Sequence, residues 1–328
     1  MKKFTIIFMG TPSFAVPSLK ILLDHGYHIP AVVTAPDRPS GRGQKLNISE
    51  IKDFVIHYNE EKSKSDSNFT PIEILQPEKL KNPEFIEHLK SFQADLQIVV
   101  AFRMLPEIIW KMPVKGTFNL HASLLPQYRG AAPINWAIIH GEKISGITTF
   151  FLNEEIDAGE IIDQVEIPIG SEENFGEYHD QLKMEGSKLV LKTVIKIENG
   201  EKIQYSSKNH YSNLYLAPKL TKLTGLIDWN QEVDKIYNLI RGLSPFPTAY
   251  TYYKNQSIKI YKAEKIVLEH PQKPGILETD GKNYLRFYAK DGYISLQELQ
   301  FENKKKMGVQ ELLRGFRIDP GLHDPKIT

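Results

Sequence analysis

The stretch Phe118-Asn119-Leu120-His121-Ala122-Ser123-Leu124-Leu125-Pro126-Gln127-Tyr128-Arg129-Gly130 places an amide and an imidazole two residues apart and then turns sharply. Residues 116–122 are typical of a β-strand, so Asn119 and His121 should project from the same face. Ser-Leu-Leu-Pro bends the chain directly beyond them. Ligands bind open α/β sheets at the carboxyl ends of parallel strands. The sequence therefore predicts a ligand site at the end of this strand.

A carboxylate is available from a second segment, residues 146–159, where an alternating strand runs into Asp157-Ala-Gly. We expect this turn to bring Asp157 to His121. A carboxylate beside the histidine would favour the charged imidazolium. Taken alone, Asn119 and His121 would more often be polar residues that end a strand. The turn and Asp157 together favour an active site instead.

The order of apolar segments predicts two domains. Apolar runs at 4–9 and 29–35 flank a helical stretch at 14–25, and further strands are expected at 96–101, 117–122 and 147–152. This pattern predicts a mainly parallel sheet with both faces covered in a first domain, residues 1–203. A polar linker follows at 204–222. Residues 223–328 begin with a helix and continue as short strands with Asp-Gly turns at 280–281 and 291–292, which indicates an antiparallel β domain.

Composition excludes several classes of protein. The 328 residues contain no cysteine, so disulfides, thiolate nucleophiles and cysteine metal sites are excluded. No apolar run approaches the ~18 residues that span a bilayer, and the N-terminus is a poor signal peptide, so we expect a cytoplasmic protein without membrane contact.

Charge is unevenly distributed along the chain. Residues 208–328 carry 19 Lys and Arg against 13 Asp and Glu, a net charge of +6, whereas the preceding part is at −5. A basic C-terminal half suggests a module that grips nucleic acid. Ordinary solvated lysines are an equal alternative on this observation alone.

The catalytic segments resemble the folate-dependent formyltransferase family, and other motifs extend the resemblance over nearly the whole chain. These motifs are Met9-Gly-Thr-Pro12, an expected loop at residues 36–45 (PDRPSGRGQK), Gly130-Ala-Ala-Pro133, Ala217-Pro-Lys-Leu-Thr-Lys222, Ile227-Asp-Trp229 and Pro245-Phe-Pro247. The ordered series is similar to members of the family that act on methionyl-initiator tRNA. It implies an α/β fold with a Rossmann-like formyltransferase domain and an oligonucleotide-binding-type β-barrel domain.

The resemblance also implies roles for particular residues. Asn119, His121 and Asp157 would form the active site, and the family places folate, here 10-formyltetrahydrofolate, at four consecutive residues: Ser123, Leu124, Leu125 and Pro126. Contacts with tRNA are implied for Arg38, Arg42, Lys45, Lys219 and Lys222. No metal and no obligate protein partner are implied. The loop at 101–106 departs from the family in two ways. Arg103 stands where many members have glycine, and in those members the loop is one residue longer.

The proposed chemistry explains the residue types. An amine that attacks a formyl group generates a tetrahedral oxyanion, which needs preorganised donors rather than a protein nucleophile. Asn119 and His121 would be those donors, and Asp157 would orient the histidine and help to move a proton.

Other functions are less consistent with these residues. A Ser-His-Asp hydrolase would need a Gly-x-Ser-x-Gly elbow, and the sequence around Ser123 does not have one. A dinucleotide site would need further glycines, which Gly10-Thr-Pro lacks. A sugar-amine formyltransferase is the main alternative, but it should lack the 36–45 motif. A glycinamide ribonucleotide formyltransferase would leave the basic C-terminal part unexplained. A non-catalytic, folate-responsive RNA-binding module is a further alternative, against which the three catalytic-type residues argue.

Overall fold

The chain forms two compact units in the part that a computed structural model describes, residues 3–40, 45–203 and 213–319. The first unit contains the described residues up to Arg129, together with Gly146–Ile167 and Asp180–Tyr215. The second contains Gly130–Ser145, Pro168–His179 and the described residues from Leu216 onward. Each unit is therefore assembled from segments that are far apart in sequence.

The strands fall into two large sheets and two short pairs. In chain order they are β1 (Thr5–Gly10), β2 (His28–Val33), β3 (Arg38–Ser40), β4 (Lys45–Asn47), β5 (Glu73–Leu75), β6 (Leu96–Val100), β7 (Thr117–His121), β8 (Arg129–Gly130), β9 (Ile144–Phe151), β10 (Ile161–Pro168), β11 (Leu216–Ala217), β12 (Ala249–Tyr253), β13 (Gln256–Val267), β14 (Leu277–Thr279), β15 (Leu285–Tyr288), β16 (Gly292–Phe301) and β17 (Met307–Gly308). The short pairs are β3 with β4 and β8 with β11.

The helices connect and cover these strands. They are α1 (Val16–Asp24), α2 (Glu50–Ser65), α3 (Pro83–Ser91), α4 (Glu107–Trp110), α5 (Pro133–Ile139), α6 (Phe175–Glu198), α7 (Val233–Leu243) and α8 (Val309–Gly315). Local capping fixes several of their ends. The side chain of Ser49 accepts the amide N–H of Lys52 at the start of α2, and Asn174 and Glu177 cap each other's amides at the start of α6. No described helix is long and apolar enough to cross a bilayer.

The first large sheet has the strand order β10-β9-β7-β6-β1-β2-β5. The pairs from β7 through β6, β1 and β2 to β5 are parallel, whereas β7 and β9 are antiparallel. Strands β1 and β6 are buried along their whole length, which is the pattern of a sheet covered on both faces. Ile7 and Met9 of β1, for example, pack in one core cluster with Leu89 of α3 and Ile109 of α4. The expected Rossmann-like, mainly parallel sheet is confirmed.

The second large sheet is antiparallel and has the order β12-β13-β16-β15-β14, with β17 beside β16. It curls into a half-barrel of the oligonucleotide-binding type, as expected. The long pairing of β13 with β16 shifts register on either side of Lys262, and such irregularities bend a strand and increase its twist. The core between this sheet and α7 contains aromatic and aliphatic side chains such as Trp229, Ile240 and Phe287.

Both predicted Asp-Gly turns join neighbouring strands. Asp280 accepts the amide N–H groups of residues 282, 283 and 284, and these hydrogen bonds lower the pKa of its carboxyl group. Asp291 reaches further, because its carboxylate accepts the N–H of Val233 at the start of α7 at 2.8 Å. At Gly292 a side chain is excluded, since a Cβ would lie 2.0 Å from the carbonyl oxygen of Ile266.

Two local expectations differ from the structure. The helical stretch at 14–25 is divided into a 3-10 turn, Ser13–Ala15, and α1. The segment 36–45, expected to be a loop, contributes strands β3 and β4 of an antiparallel hairpin. The residues between these strands, 41–44, lie outside the described part of the chain. The expected linker spans 204–222. Its residues 204–212 also lie outside the described part of the chain, and residues 216–217 form β11.

Candidate active site

Strand β7 carries Asn119 and His121 to the middle of the first sheet. Asn119 pairs with Val99 of parallel β6 on one side, and His121 pairs with Thr148 of antiparallel β9 on the other. His121 is buried, whereas Asn119 is half-buried and its side chain makes no hydrogen bond to any described residue. The strand therefore presents an amide with unused donors beside a buried imidazole.

The imidazole of His121 has an acceptor near each nitrogen. Its Nε2 lies 3.0 Å from the carbonyl oxygen of Tyr128, and because a carbonyl only accepts, Nε2 carries the proton of this hydrogen bond. Its Nδ1 lies 3.9 Å from Oδ2 of Asp157, and the two side chains are only 7% and 17% exposed. The structure therefore brings Asp157 to His121. The ring can donate to both acceptors only as the imidazolium.

The loop between β9 and β10 determines where Asp157 lies. Asp157 has a left-handed backbone conformation, with φ of 50°, which is uncommon outside glycine and is tolerated best by Asn and Asp. The side chain of Asn153 braces the loop by accepting the N–H of Glu155 and donating to the Ala158 carbonyl. A Cβ at Gly159 would lie 1.6 Å from the carbonyl oxygen of Phe151. The Asp-Ala-Gly sequence therefore fits this tight return of the chain.

The Ser-Leu-Leu-Pro segment forms a closed turn directly after β7. The hydroxyl of Ser123 donates to the Gln127 carbonyl at 2.6 Å, and the Gln127 N–H donates to the Leu124 carbonyl at 3.0 Å. Ser123, Leu124 and Leu125 are buried, and Pro126 is half-buried. A ligand at this turn would meet backbone and Pro126 more than the other side chains. The Ser123 hydroxyl, committed to Gln127, does not form a hydrolase pair with His121.

Thr148 and Gln164 hold this turn from the neighbouring strands. The buried hydroxyl of Thr148 donates to the Ser123 carbonyl at 2.6 Å and accepts the Leu125 N–H at 3.1 Å. The Gln164 amide donates both to this hydroxyl and to the Leu125 carbonyl, at 2.8 Å each. Sequence reasoning missed both residues. Finding them requires knowing that β9 pairs with β7 in an antiparallel register and that β10 lies beside β9.

Comparisons with known proteins agree with this geometry. A family model described as "Formyl transferase" matches residues 2–194, and one described as "Formyl transferase, C-terminal domain" matches residues 219–317. A methionyl-tRNA formyltransferase of Bacteroides fragilis is 48% identical over 327 residues, 97% of each chain. One from Phocaeicola vulgatus is 50% identical over 325 residues, 96% of this chain and 97% of its own. The chain belongs to the methionyl-tRNA formyltransferase family.

Solved structures share the fold of this family member at low sequence identity. WlaRD, a sugar 3N-formyl transferase solved in the presence of dTDP and 5-N-formyl-tetrahydrofolate, superposes with a TM-score of 0.64 at 21% identity, over 93% of this chain and 100% of its own. HypX from Aquifex aeolicus in complex with tetrahydrofolic acid gives a TM-score of 0.61 at 19% identity, over 96% of this chain and 48% of its own. Folate or formyl-folate binding is thus found among proteins of this fold. The described residues contain no group of three or more His, Asp or Glu side chains that could hold a metal ion.

The residues expected to contact tRNA fall in two places. Arg38 is exposed on β3 and Lys45 lies in the backbone of the paired strand β4, while Arg42 is outside the described residues. Lys219 and Lys222 are exposed on either side of Leu220 and Thr221, and neither forms an ion pair with a described residue. The structure therefore brings Arg38 and Lys45 onto one hairpin and Lys219 and Lys222 onto a separate segment.

The base of the β3–β4 hairpin is anchored by a carboxylate. Asp37 accepts hydrogen bonds from Lys52 of α2 and from Gln76, the latter at 2.7 Å. Gln76 also donates to the Ala35 carbonyl at 2.8 Å. The bonds from Lys52 and Gln76 hold the pKa of the Asp37 carboxyl below its usual value. The backbone next to Arg38 is therefore anchored, whereas its side chain is exposed.

Arg103, which departs from the family pattern, is also tied to backbone. Its guanidinium donates to the carbonyls of Pro77 and Glu78, the latter at 2.9 Å, and lies 5.7 Å from the ring centre of Phe102. Burial lowers the pKa of this guanidinium. The arginine thus links the loop after β6 to the segment that follows β5.

Proposed function

We propose that the protein transfers the formyl group of 10-formyltetrahydrofolate to the amino group of methionine esterified to initiator tRNA. The product is N-formylmethionyl-tRNA for the initiation of translation. One observation carries the proposal: a buried histidine lies between a backbone carbonyl and a carboxylate, next to an amide with unused donors, in a chain 48% identical to a methionyl-tRNA formyltransferase.

The transfer exchanges one C–N bond for another. The amine nitrogen of methionine bonds to the formyl carbon, and the bond from that carbon to the donor's nitrogen breaks. One proton passes from the amine to the leaving nitrogen, so no oxidant or metal is needed. Negative charge develops on the formyl oxygen during attack, and fixed donors aimed at it supply the catalysis.

Each catalytic residue has a role that its surroundings support. Asn119 donates from its side-chain amide to the developing oxyanion, which fits its lack of a described partner. Both ring nitrogens of His121 face acceptors, so His121 acts on the same centre through the positive charge of the imidazolium rather than through a further N–H. Asp157 orients the imidazole and carries the proton through a water. Because hydrogen bonds in apo active sites tighten on substrate binding, the 3.9 Å separation between His121 and Asp157 is compatible with this role.

The formyl donor fits the turn at 123–126. Buried side chains and the bonds from Thr148 and Gln164 make this turn rigid, and rigid backbone is well suited to present amide and carbonyl groups to a planar heterocycle. The turn also lies directly after His121 in sequence. Donor binding here brings the formyl group to the end of β7.

Recognition of tRNA is assigned to the basic residues outside the catalytic turn. We propose that residues 1–203 carry the catalytic site, that residues 223–328 grip the tRNA, and that 204–222 link them. Arg38, Arg42 and Lys45 contact the acceptor end, while Lys219 and Lys222 contact phosphates. Each lysine that releases a counterion should change the salt dependence of binding by about one unit of slope.

A direct assay tests this function. Purified protein is incubated with donor labelled in the formyl group and with methionyl-initiator tRNA, and the formylated ester is counted. Methionyl elongator tRNA and a nucleotide-linked amino sugar serve as competing acceptors. We expect preference for the initiator tRNA. Formylation of the amino sugar alone would replace the proposal with the sugar-amine reaction, and tRNA binding without any transfer would leave a non-catalytic RNA-binding protein.

A further inference from the structure

The side chain of Gln127 forms two hydrogen bonds to residues 213–215, a segment that is distant in sequence; this pair of bonds is called the clasp. Gln127 is buried, with 7% exposure. Its Nε2 donates to the Asn213 carbonyl at 2.7 Å, and its Oε1 accepts the Tyr215 N–H at 2.8 Å. Because one partner is a carbonyl and the other an N–H, only one orientation of the amide satisfies both. The clasp therefore fixes the direction of the side chain as well as its place.

Tyr128 is held by the same segment. Its N–H donates to the Tyr215 carbonyl at 2.7 Å, and the two tyrosine rings stack with centres 6.1 Å apart. Tyr128 has a left-handed backbone conformation, with φ of 58°. A residue other than glycine keeps such a conformation only where surrounding contacts impose it. Tyr215 supplies two such contacts, a backbone hydrogen bond and a stacked ring, and Gln127 in turn binds the N–H of Tyr215.

The carbonyl of Tyr128 is the acceptor for Nε2 of His121. The orientation of the catalytic ring thus depends on the carbonyl of Tyr128, a residue whose N–H and aromatic ring are held by Tyr215. A different Tyr128 conformation would move this carbonyl and leave the Nε2–H group of His121 without its acceptor. Asp157, at 3.9 Å from Nδ1, would then be the remaining described group that orients the imidazole. The side chain of Gln127 therefore acts on His121 only through Tyr215 and Tyr128.

We propose that Gln127 is a positioning residue for the formyl transfer, acting through the Tyr128 carbonyl on the imidazole of His121. Since it assigns a catalytic role to His121, the proposal rests on the function proposed above. It differs from a merely structural role, in which Gln127 only fastens residues 213–215. Structural fastening would affect the stability of the protein but not the hydrogen bond of the His121 ring.

The chain offers a matched control at Asn59. The Asn59 side chain makes the same pair of bonds to backbone, donating to the Ile72 carbonyl and accepting the Ile72 N–H, each at 2.9 Å. It lies on α2, and both of these hydrogen bonds go to Ile72 rather than to His121 or Tyr128. Gln127→Met and Asn59→Leu each keep much of the side-chain shape and lose both bonds. The two variants therefore lose the same kind of hydrogen-bond pair, but only the pair made by Gln127 is connected to His121 through Tyr215 and Tyr128.

The full-length protein is tested in two ways. In kinetics, Gln127→Met should lower kcat by about 10- to 100-fold, as misplacement of a catalytic group does, with the KM for the formyl donor changed less than threefold. Asn59→Leu should leave kcat within twofold of the parent. In nitrogen-15 NMR of histidine-labelled protein, the Nε2–H signal of His121, assigned by its loss in His121→Ala, should shift in Gln127→Met and stay in place in Asn59→Leu.

Each result bears on the proposal. An unchanged His121 signal in Gln127→Met, or equal losses of kcat in both variants, overturns it. If Gln127→Met does not fold, Gln127→Glu replaces it: its carboxylate still accepts the Tyr215 N–H but loses the bond to the Asn213 carbonyl and repels that oxygen, which displaces the segment. A smaller shift of the His121 signal and at least a threefold lower kcat are then expected. The NMR measurement needs no substrate. A parent protein that fails to formylate tRNA would therefore refute the function while the ring position is still tested.

Discussion

Replacing Thr148 by valine should destabilise the protein through the turn at 123–126. The substitution keeps the shape of a fully buried side chain but removes a hydroxyl with three hydrogen bonds, to Ser123, Leu125 and Gln164. At a net 0.5–1.5 kcal/mol for each bond, the expected loss in the free energy of unfolding is about 3 kcal/mol. Leu125 N–H would be left without its acceptor, so the turn should also loosen.

Thr149 is the matched control on the same strand. It is also fully buried and points to the opposite face of β9, and its hydroxyl forms one hydrogen bond to a described residue, the Thr193 hydroxyl, at 2.8 Å. Thr149→Val should therefore cost about 1 kcal/mol. The expected difference between the two variants is about 2 kcal/mol, or roughly 30-fold in the unfolding equilibrium.

Urea denaturation followed by circular dichroism measures the two free energies in the same unfolding transition. Titration with the formyl donor measures binding at the turn. Thr148→Val should weaken donor binding, whereas Thr149→Val should leave it unchanged. Equal stability of the two variants would refute the reasoning about the hydroxyl. A destabilised Thr148→Val protein with normal donor affinity would instead remove the turn from the donor site.

Three further predictions concern catalysis and tRNA. His121→Ala and Asp157→Ala should each lower kcat by about 100- to 1000-fold, as loss of a group acting on transition-state charge does, while tRNA affinity stays near that of the parent; normal turnover in either variant rules out its assignment. Arg42→Ala should lower kcat/KM for the initiator tRNA about tenfold or more, since a charged hydrogen bond is lost, and Arg42→Lys should restore it only partly because lysine lacks the planar fork. Unchanged tRNA kinetics with normal donor binding would reduce Arg42 to a surface residue. Gly159→Ala would place a methyl group 1.6 Å from the Phe151 carbonyl, so the Asp157 loop must shift and kcat should fall about 100-fold; a parental kcat would show that this loop does not set the position of the carboxylate.

Much of the first sheet could be predicted because its strands are continuous apolar runs. The same holds for β7, where the two-residue spacing of Asn119 and His121 shows on which face they lie. The approach of Asp157 to His121 also followed from an alternating strand that ends in Asp-Ala-Gly. These features are local in sequence, and local patterns determine strand, face and turn.

Contacts that depend on tertiary register could not be predicted. Thr148 reaches the turn only because β9 runs antiparallel to β7, and its sequence context, between Thr and Ile, gives no sign of this. Gln127 meets Asn213 across 86 residues. The left-handed conformation of Tyr128 is likewise imposed by Tyr215, and nothing about a tyrosine after glutamine indicates it. Short polar side chains and single backbone conformations carry no periodicity from which they can be inferred.

The second unit includes residues 130–145, which come from the middle of the chain. The Asn135 side chain of α5 donates to the Gly242 carbonyl at the end of α7, and Arg241 donates to the carbonyls of Gly170 and Glu173. A gene fusion joined within 204–222 would therefore separate α7 from the partners it has here. Exchange of C-terminal parts between relatives should succeed only where the recipient's α5 surface complements the incoming helix. Substitutions in α5 and in α7 should therefore be coupled in evolution. A C-terminal fragment produced without α5 would expose apolar surface and tend to aggregate.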